Sequence, residues 1–333
     1  MAEIIAQARL VRVENMCDQW GLDLTAGCEH ACMYCHFHKH QVLSLRHEHG
    51  GEIVAKSLAV DSFLSLDQYP DTLYLSPHTD PLAPSARGPL EAVLKRILPL
   101  GVRVIISTKN VVTRRIFRIL ADYPEQVLVL IGLTSLDDDR NKAVEPGCAP
   151  ALARLANFDL AKEYGIPSRF TRLDPILPGV DDAHPALGRL LDELVLRGTL
   201  QVSATYLFLT PFTVSTPTTN PYMREAATWC REASPTAGGL AYSVPLPRKV
   251  DLYSWLKREC TTRGLHFGAC GCKDLRLGGN GFATACTNPC LSECTGRTIC
   301  SLPVIEPSLP VDTVRETIPQ LSAKKPDSSR LVS

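Results

Sequence analysis

Short apolar runs alternating with stretches of helical length constrain this chain more than any other feature of its sequence. The runs are Gly21–Thr25, Thr72–Ser76, Val102–Thr108, Gln126–Thr134, Ser168–Leu173 and Gln201–Leu209. They are rich in Val, Ile and Leu and nearly continuous, the pattern of strands covered on both faces. Between them, amphipathic helices are predicted over Pro89–Leu98, Val112–Ala121, Ala151–Tyr164 and Pro185–Arg197. In the third of these, Leu152, Leu155, Phe158 and Leu160 supply the apolar face, and Gly165 is placed to end the helix. Repeated strand–helix units imply parallel strands joined by right-handed crossovers, hence an α/β fold. With 333 residues the chain is long enough to bury a substantial core.

The alternation stops near residue 210. Thr210–Pro221 reads as a loop, and a helical connector over 211–265 is predicted from Met223–Glu232 and Asp251–Arg263. A Gly- and Cys-rich module follows over 266–302, then a flexible tail over 303–333 rich in Pro, Ser and Lys. Thirty-five basic and 35 acidic residues cancel, so bulk charge offers a nucleic acid no attraction. No apolar run approaches the roughly 18 residues of a membrane span. The amino-terminal stretch lacks a basic region followed by a long apolar block, so a cytoplasmic chain is expected. Thirteen cysteines are then best read as reduced thiols available for metal or redox work.

Three of those thiols, Cys28, Cys32 and Cys35, stand in a Cys-x3-Cys-x2-Cys spacing directly after the first predicted strand. Three thiolates on one loop can each bind one iron of a cubane [4Fe–4S] cluster, leaving the fourth iron without a protein ligand. Zinc is the alternative, with a fourth ligand from His30, His36, His38 or His40. The spacing, with Tyr34 just ahead of the last cysteine, resembles the signature of the radical S-adenosylmethionine superfamily. Five further segments occur in the order of its spore photoproduct lyase-like branch: SPHTDPLAP (76–84), ISTKN (106–110), TSLDDD (134–139), EPG (145–147) and RLDPILPGVDD (172–182). The similarity covers roughly residues 20–200.

That resemblance implies a partial (β/α)6 barrel of the TIM type over 15–210. It also implies an enzyme whose cluster reductively cleaves S-adenosylmethionine to a 5′-deoxyadenosyl radical, which abstracts hydrogen from a substrate. An electron donor such as a flavodoxin or ferredoxin would be its partner. By the same resemblance Thr79 is a cofactor contact after the second strand, Asp80 lies at the methionyl ammonium, Lys109 and Arg172 at the carboxylate, Ser135 at a ribose hydroxyl and Tyr34 beside adenine. Taken alone, Asp80 ahead of Pro81 also suits a turn, Lys109 and Arg172 also suit solvated strand ends, and Glu145 also suits a loop-shaping role. Spore photoproduct lyases carry a hydrogen-donating cysteine just before the corresponding aspartate; Ser76, Pro77, His78 and Thr79 contain no thiol. A small metabolite, a peptide or another macromolecule is therefore expected as substrate ahead of damaged DNA. A metal-binding or redox-sensing protein without catalysis and a zinc-dependent protein with nucleic-acid affinity are the remaining alternatives.

Cys270, Cys272, Cys286, Cys290, Cys294 and Cys300 fall within about thirty residues, interleaved with glycines that permit tight wrapping. An auxiliary iron–sulfur cluster is expected there, with structural zinc or unligated thiols as alternatives. The expected ligand set is Cys270, Cys272, Cys286 and Cys290.

Overall fold

The computed structural model describes residues 11–13, 19–35, 52–66, 69–70, 72–214, 218–236, 239–269 and 273–277. Cys270, Cys272, Cys286, Cys290 and the tail over 303–333 lie outside the described residues.

The elements, in chain order, begin with strands β1 (Val11–Val13), β2 (Gln19–Leu22), β3 (Thr25–Ala26) and β4 (Val54–Ala55), then helix α1 (Ser57–Leu64). Strand–helix units follow: β5 (Thr72–Leu75) and α2 (Arg87–Ile97); β6 (Arg103–Thr108) and α3 (Arg114–Ala121); β7 (Val127–Gly132) with α4 (Asp138–Val144) and α5 (Ala151–Glu163). Next come β8 (Ser168–Ile176) and α6 (His184–Leu196), then β9 (Gln201–Tyr206), α7 (Pro211–Val214) and α8 (Pro221–Trp229). The chain closes with the strands β10 (Glu232–Thr236) and β11 (Gly239–Ser243), helix α9 (Leu246–Thr262) and β12 (His266–Ala269).

The main sheet has the order β1-β2-β5-β6-β7-β8-β9-β12. Only β1 is antiparallel to its neighbour, so seven strands run parallel among the described residues. Each parallel strand adds beside its predecessor and the order never reverses. Such winding in one direction gathers the helices on one face and encloses the other, which is the partial barrel of TIM type rather than a doubly wound sheet.

Side-chain alternation along the strands builds the two faces. Leu73, Val104, Ile106, Val129 and Ile131 join the large outer core with helix residues such as Leu90, Leu94, Phe117 and Leu155. Tyr74, Ile105, Leu128, Leu130 and Phe170 form a separate buried cluster on the enclosed face. Helix α3 starts where Thr113 caps the Ile116 amide, and α5 ends in the left-handed Gly165, as its sequence predicts.

Three differences from the sequence reading have physical causes. Leu152 is 65% exposed, whereas Arg154 and Asn157 of the same helix are buried. Leu155 and Phe158 are buried and Leu160 packs on the core, as the spacing predicts; Arg154 and Asn157 share the buried side because they bond to Glu145, to the Ala149 and Asn110 carbonyls and to the Val112 amide. The segment expected as a helical connector holds the antiparallel pair β10–β11 as well as helices. Strand β12, assigned by sequence to the Cys-rich module, pairs in parallel with β9 and carries the sheet past residue 210. Helix α9 covers this strand pair with Leu252, Tyr253, Leu256 and Cys260 buried, and Tyr253 accepts the Tyr206 amide at 2.8 Å.

Candidate active site at the barrel mouth

Beyond its apolar floor, the enclosed face turns polar at the carboxyl ends of the strands. There a cavity is lined by Cys28, Cys32 and Cys35 on one side and by Ser107, Lys109, Gly132, Arg172 and Asp174 on the strand ends. The parity is that of the floor: two residues beyond Ile105 is Ser107, beyond Leu130 is Gly132, beyond Phe170 is Arg172. Gly132 is small because Lys109 lies across it; a Cβ there would meet Lys109 Cγ at 2.9 Å.

The cysteine loop leaves β2 through Gly27 and carries Ala31 with φ 48°. Ser76, at the end of β5, has φ 52°, and its Oγ accepts the Leu24 amide at 3.2 Å. No other described non-glycine residue has positive φ. Both strained positions border the cavity, where the surroundings enforce a conformation that side chains disfavour.

The EPG segment grips this loop from the other side. Met33 donates to the Val144 carbonyl at 2.8 Å and Gly147 donates to the His30 carbonyl at 3.0 Å. A Cβ on Gly147 would collide with the Glu29 carbonyl, so only glycine allows the contact. Glu145 is buried; Arg154 Nη1 lies 2.6 Å from Oε2, Lys109 Nζ lies 3.5 Å from Oε1, and Tyr34 Oη donates to the same carboxylate. Burial alone would raise the Glu145 pKa, but Lys109, Arg154 and Arg140 hold it down to about 2. Burial likewise opposes the Lys109 ammonium, yet Glu145, Cys32 and Asp174 carry its pKa above the ordinary value. The Lys109 ammonium also donates to the Asp174 carbonyl at 2.7 Å and stands 5.6 Å from the Tyr34 ring centroid.

Each residue singled out by sequence can now be located. Thr79 lines the cavity, and its buried hydroxyl has no hydrogen-bond partner. Asp80 lines it too, but its carboxylate is engaged by the chain. It accepts from the Leu82 and Lys109 amides, each at 2.8 Å, from the Thr108 hydroxyl at 2.8 Å, and faces His30 Nδ1 at 3.3 Å. Lys109 and Arg172 are not solvated strand ends: Arg172 donates to Tyr74 Oη at 3.0 Å and lies 3.4 Å from Asp174. Tyr34 lines the cavity beneath its Glu145 contact. Ser135 is not among the lining residues; its hydroxyl accepts the Asp137 amide at 3.1 Å and helps start α4. His30, a possible zinc ligand by sequence, is turned toward Asp80 and Asn110. His36, His38 and His40 lie outside the described residues.

Several lining residues escaped the sequence reading. Asp174 is held ionised against burial by Lys273 at 2.5 Å and by Arg172. Lys273, from the Cys-rich stretch, reaches the cavity because Asp274 is latched by buried Lys249 at 2.5 Å and by Arg276. His78 is fixed by Asp23, through Nδ1 at 2.8 Å and through its amide at 3.1 Å. Cys148, scattered by sequence, is not itself a lining residue but puts its sulfur 3.7 Å from that of Cys32. Its place directly after EPG was the available signal.

The donor set suits a cluster. Cys28, Cys32 and Cys35 line one cavity, and a cubane takes one thiolate per iron. Burial disfavours a bare thiolate at Cys28, so a cluster's positive irons would replace the missing solvation.

Comparison with known proteins decides the family. The sequence model of the radical SAM superfamily matches residues 22–191, just over half of the chain. The chain belongs to the radical SAM superfamily. For this radical SAM chain the family implies a [4Fe–4S] cluster and S-adenosylmethionine. Over 180 residues it is 26% identical to the uncharacterized protein ORF301 of Acidianus two-tailed virus, a stretch covering 49% of this chain and 60% of that protein. The match thus spans less than two thirds of the relative's length. A spore photoproduct lyase variant with bound S-adenosylmethionine and dinucleoside spore photoproduct has a similar structure, with TM-score 0.59, 13% identity and 78% of each chain covered. Spore photoproduct lyase complexed with the dinucleoside gives TM-score 0.55 at 14% identity, over 74% of this chain and 75% of that one. At such identities the likeness is one of fold.

Proposed function

We propose that this radical SAM chain holds a [4Fe–4S] cluster on Cys28, Cys32 and Cys35 and cleaves S-adenosylmethionine reductively at the barrel mouth. When bound, the cluster and S-adenosylmethionine supply a 5′-deoxyadenosyl radical that abstracts hydrogen from a substrate. The observation that carries this reading is the set of three thiols on one strained loop, facing the cationic and polar ends of parallel strands.

The residues divide the work. Thr79, with its unpartnered buried hydroxyl, suits the methionyl ammonium. Asp80 acts as a positioning residue, because its acceptors tie the ends of β5 and β6 together and leave little capacity for a ligand. Arg172 offers a carboxylate partner on the cavity wall, and Lys109 sets the charge beside Tyr34. Ser135, whose hydroxyl accepts the Asp137 amide, is left without a ligand role in this scheme. The apolar floor closes the far end to water, which protects a reactive radical.

Photoproduct cleavage is the weaker reading, since no thiol lies among Ser76, Pro77, His78 and Thr79 and the zero net charge provides no phosphate-binding field. An auxiliary cluster on Cys270, Cys272, Cys286 and Cys290 is part of the proposal. Its support is that Cys270 and Cys272 fall in sequence between β12 and Lys273, a cavity residue. A flavodoxin or ferredoxin reductant and a cytoplasmic location go with this chemistry. Among the described residues no helix is long and apolar enough to cross a membrane. The test is anaerobic reconstitution with iron and sulfide, reduction by dithionite with S-adenosylmethionine, and chromatography. Methionine and 5′-deoxyadenosine in equal amounts are expected; bound iron with no cleavage would leave only a metal-binding protein.

A further inference from the structure

We propose that Cys148 is a positioning residue for the cluster: its thiol donates a hydrogen bond to the Cys32 sulfur and makes the cluster easier to reduce. The inference deepens the proposed function and rests on Cys32 being an iron ligand.

One sulfur contact and four hydrogen bonds around it carry it. The two sulfurs are 3.7 Å apart although 116 residues separate them in sequence, a hydrogen-bonding distance for sulfur. Between two free thiols either atom can donate. Once Cys32 binds iron as a thiolate it has no proton, so the Cys148 S–H becomes the donor of the pair. The Cys148 backbone is anchored on both sides. Its amide donates to the Glu145 carbonyl at 3.0 Å, Gly147 to the His30 carbonyl at 3.0 Å, and Ala149 to the Lys109 carbonyl at 3.1 Å. Arg154 Nε then donates to the Ala149 carbonyl at 2.6 Å, so one buried arginine braces both Glu145 and the residue after Cys148.

The consequence is electrostatic. A one-electron reduction adds negative charge to the cluster and its thiolates. A donor aimed at a ligating sulfur stabilises that added charge more than it stabilises the oxidised form, so the potential rises. A fourth-ligand role fits the geometry less well, because Cys148 leans on the sulfur of Cys32 instead of standing apart from all three ligands.

Cys148→Ala and Cys148→Ser, made in the full chain and reconstituted anaerobically beside the wild type, test this. The readouts are iron content and a redox titration that follows the electron paramagnetic resonance signal altered by S-adenosylmethionine. Expected are unchanged iron, a more negative midpoint for Cys148→Ala, and a midpoint nearer the wild type for Cys148→Ser, whose hydroxyl still donates. Equal midpoints in wild type and Cys148→Ala at full iron content would overturn the proposal. Loss of iron in both variants would also overturn it, in favour of ligation or a purely structural role. A wild type that takes up no cluster defeats the underlying reading as well, and the iron count makes that case separate.

Discussion

The floor and the mouth of the barrel are built from the same strands and the same side-chain parity, yet they obey opposite rules. At the floor, Ile105, Leu128, Leu130 and Phe170 are apolar and satisfied by contact alone. One step further along the strands, the mouth half-buries Lys109, Arg172 and Asp174 and depends on the buried Glu145 and Arg154 and on two non-glycine residues with positive φ. The floor stabilises the fold, whereas the mouth spends stability to fix charges and thiols in place. A few polar residues on α5 and the EPG segment carry that cost, and not the strands themselves.

Substitutions at the two levels should therefore separate folding from chemistry. The largest effect is expected for Cys32→Ala, which should keep the fold by circular dichroism while abolishing 5′-deoxyadenosine formation; retained turnover would remove Cys32 from the ligand set. Glu145→Ala should cost about 3–5 kcal/mol in urea unfolding, because Arg154 and Lys109 lose a buried counter-charge. It should also lower iron uptake by loosening the Cys148 and Tyr34 contacts. Phe170→Ala should cost about 3 kcal/mol by leaving a cavity in the floor, with cleavage of S-adenosylmethionine per folded molecule preserved. If it loses cleavage in proportion to stability, floor and mouth are one unit and the contrast fails.

The smallest effect concerns acid. The folded pKa of Glu145 is depressed from 4.5 to about 2, so its contribution is full above 4.5 and declines as pH falls toward about 2. Unfolding of the wild type and Glu145→Gln, compared across that window, should show the wild-type advantage shrinking with acidity. A constant gap would mean that Glu145 titrates alike in folded and unfolded chains.

What the sequence disclosed follows the same division. Strands rich in Val, Ile and Leu were legible because burial on both faces needs only continuous apolarity, and their parallel order followed from the intervening helices. The gathering of Cys28, Cys32 and Cys35 on one loop was legible because their spacing is local. Arg154 and Asn157 were not, since a buried arginine on a helix makes sense only beside its distant partners, here Glu145, the Asn110 carbonyl and the Val112 amide. Cys148 and Lys273 were hidden for the same reason: Cys148 meets the Cys32 sulfur, and Lys273 reaches the cavity, only through contacts made far away in sequence. Strand β12 was obscured because His266–Ala269 is short and lies against a Gly- and Cys-rich stretch.

Electron paramagnetic resonance of the reconstituted, reduced protein, recorded before and after adding S-adenosylmethionine with labelled amino nitrogen and carboxylate oxygen, addresses the iron that the three thiols are proposed to leave without a protein ligand. The account predicts a changed spectrum with hyperfine coupling to both labels, lost together with the cluster in Cys28→Ala. A cluster signal indifferent to S-adenosylmethionine would contradict it.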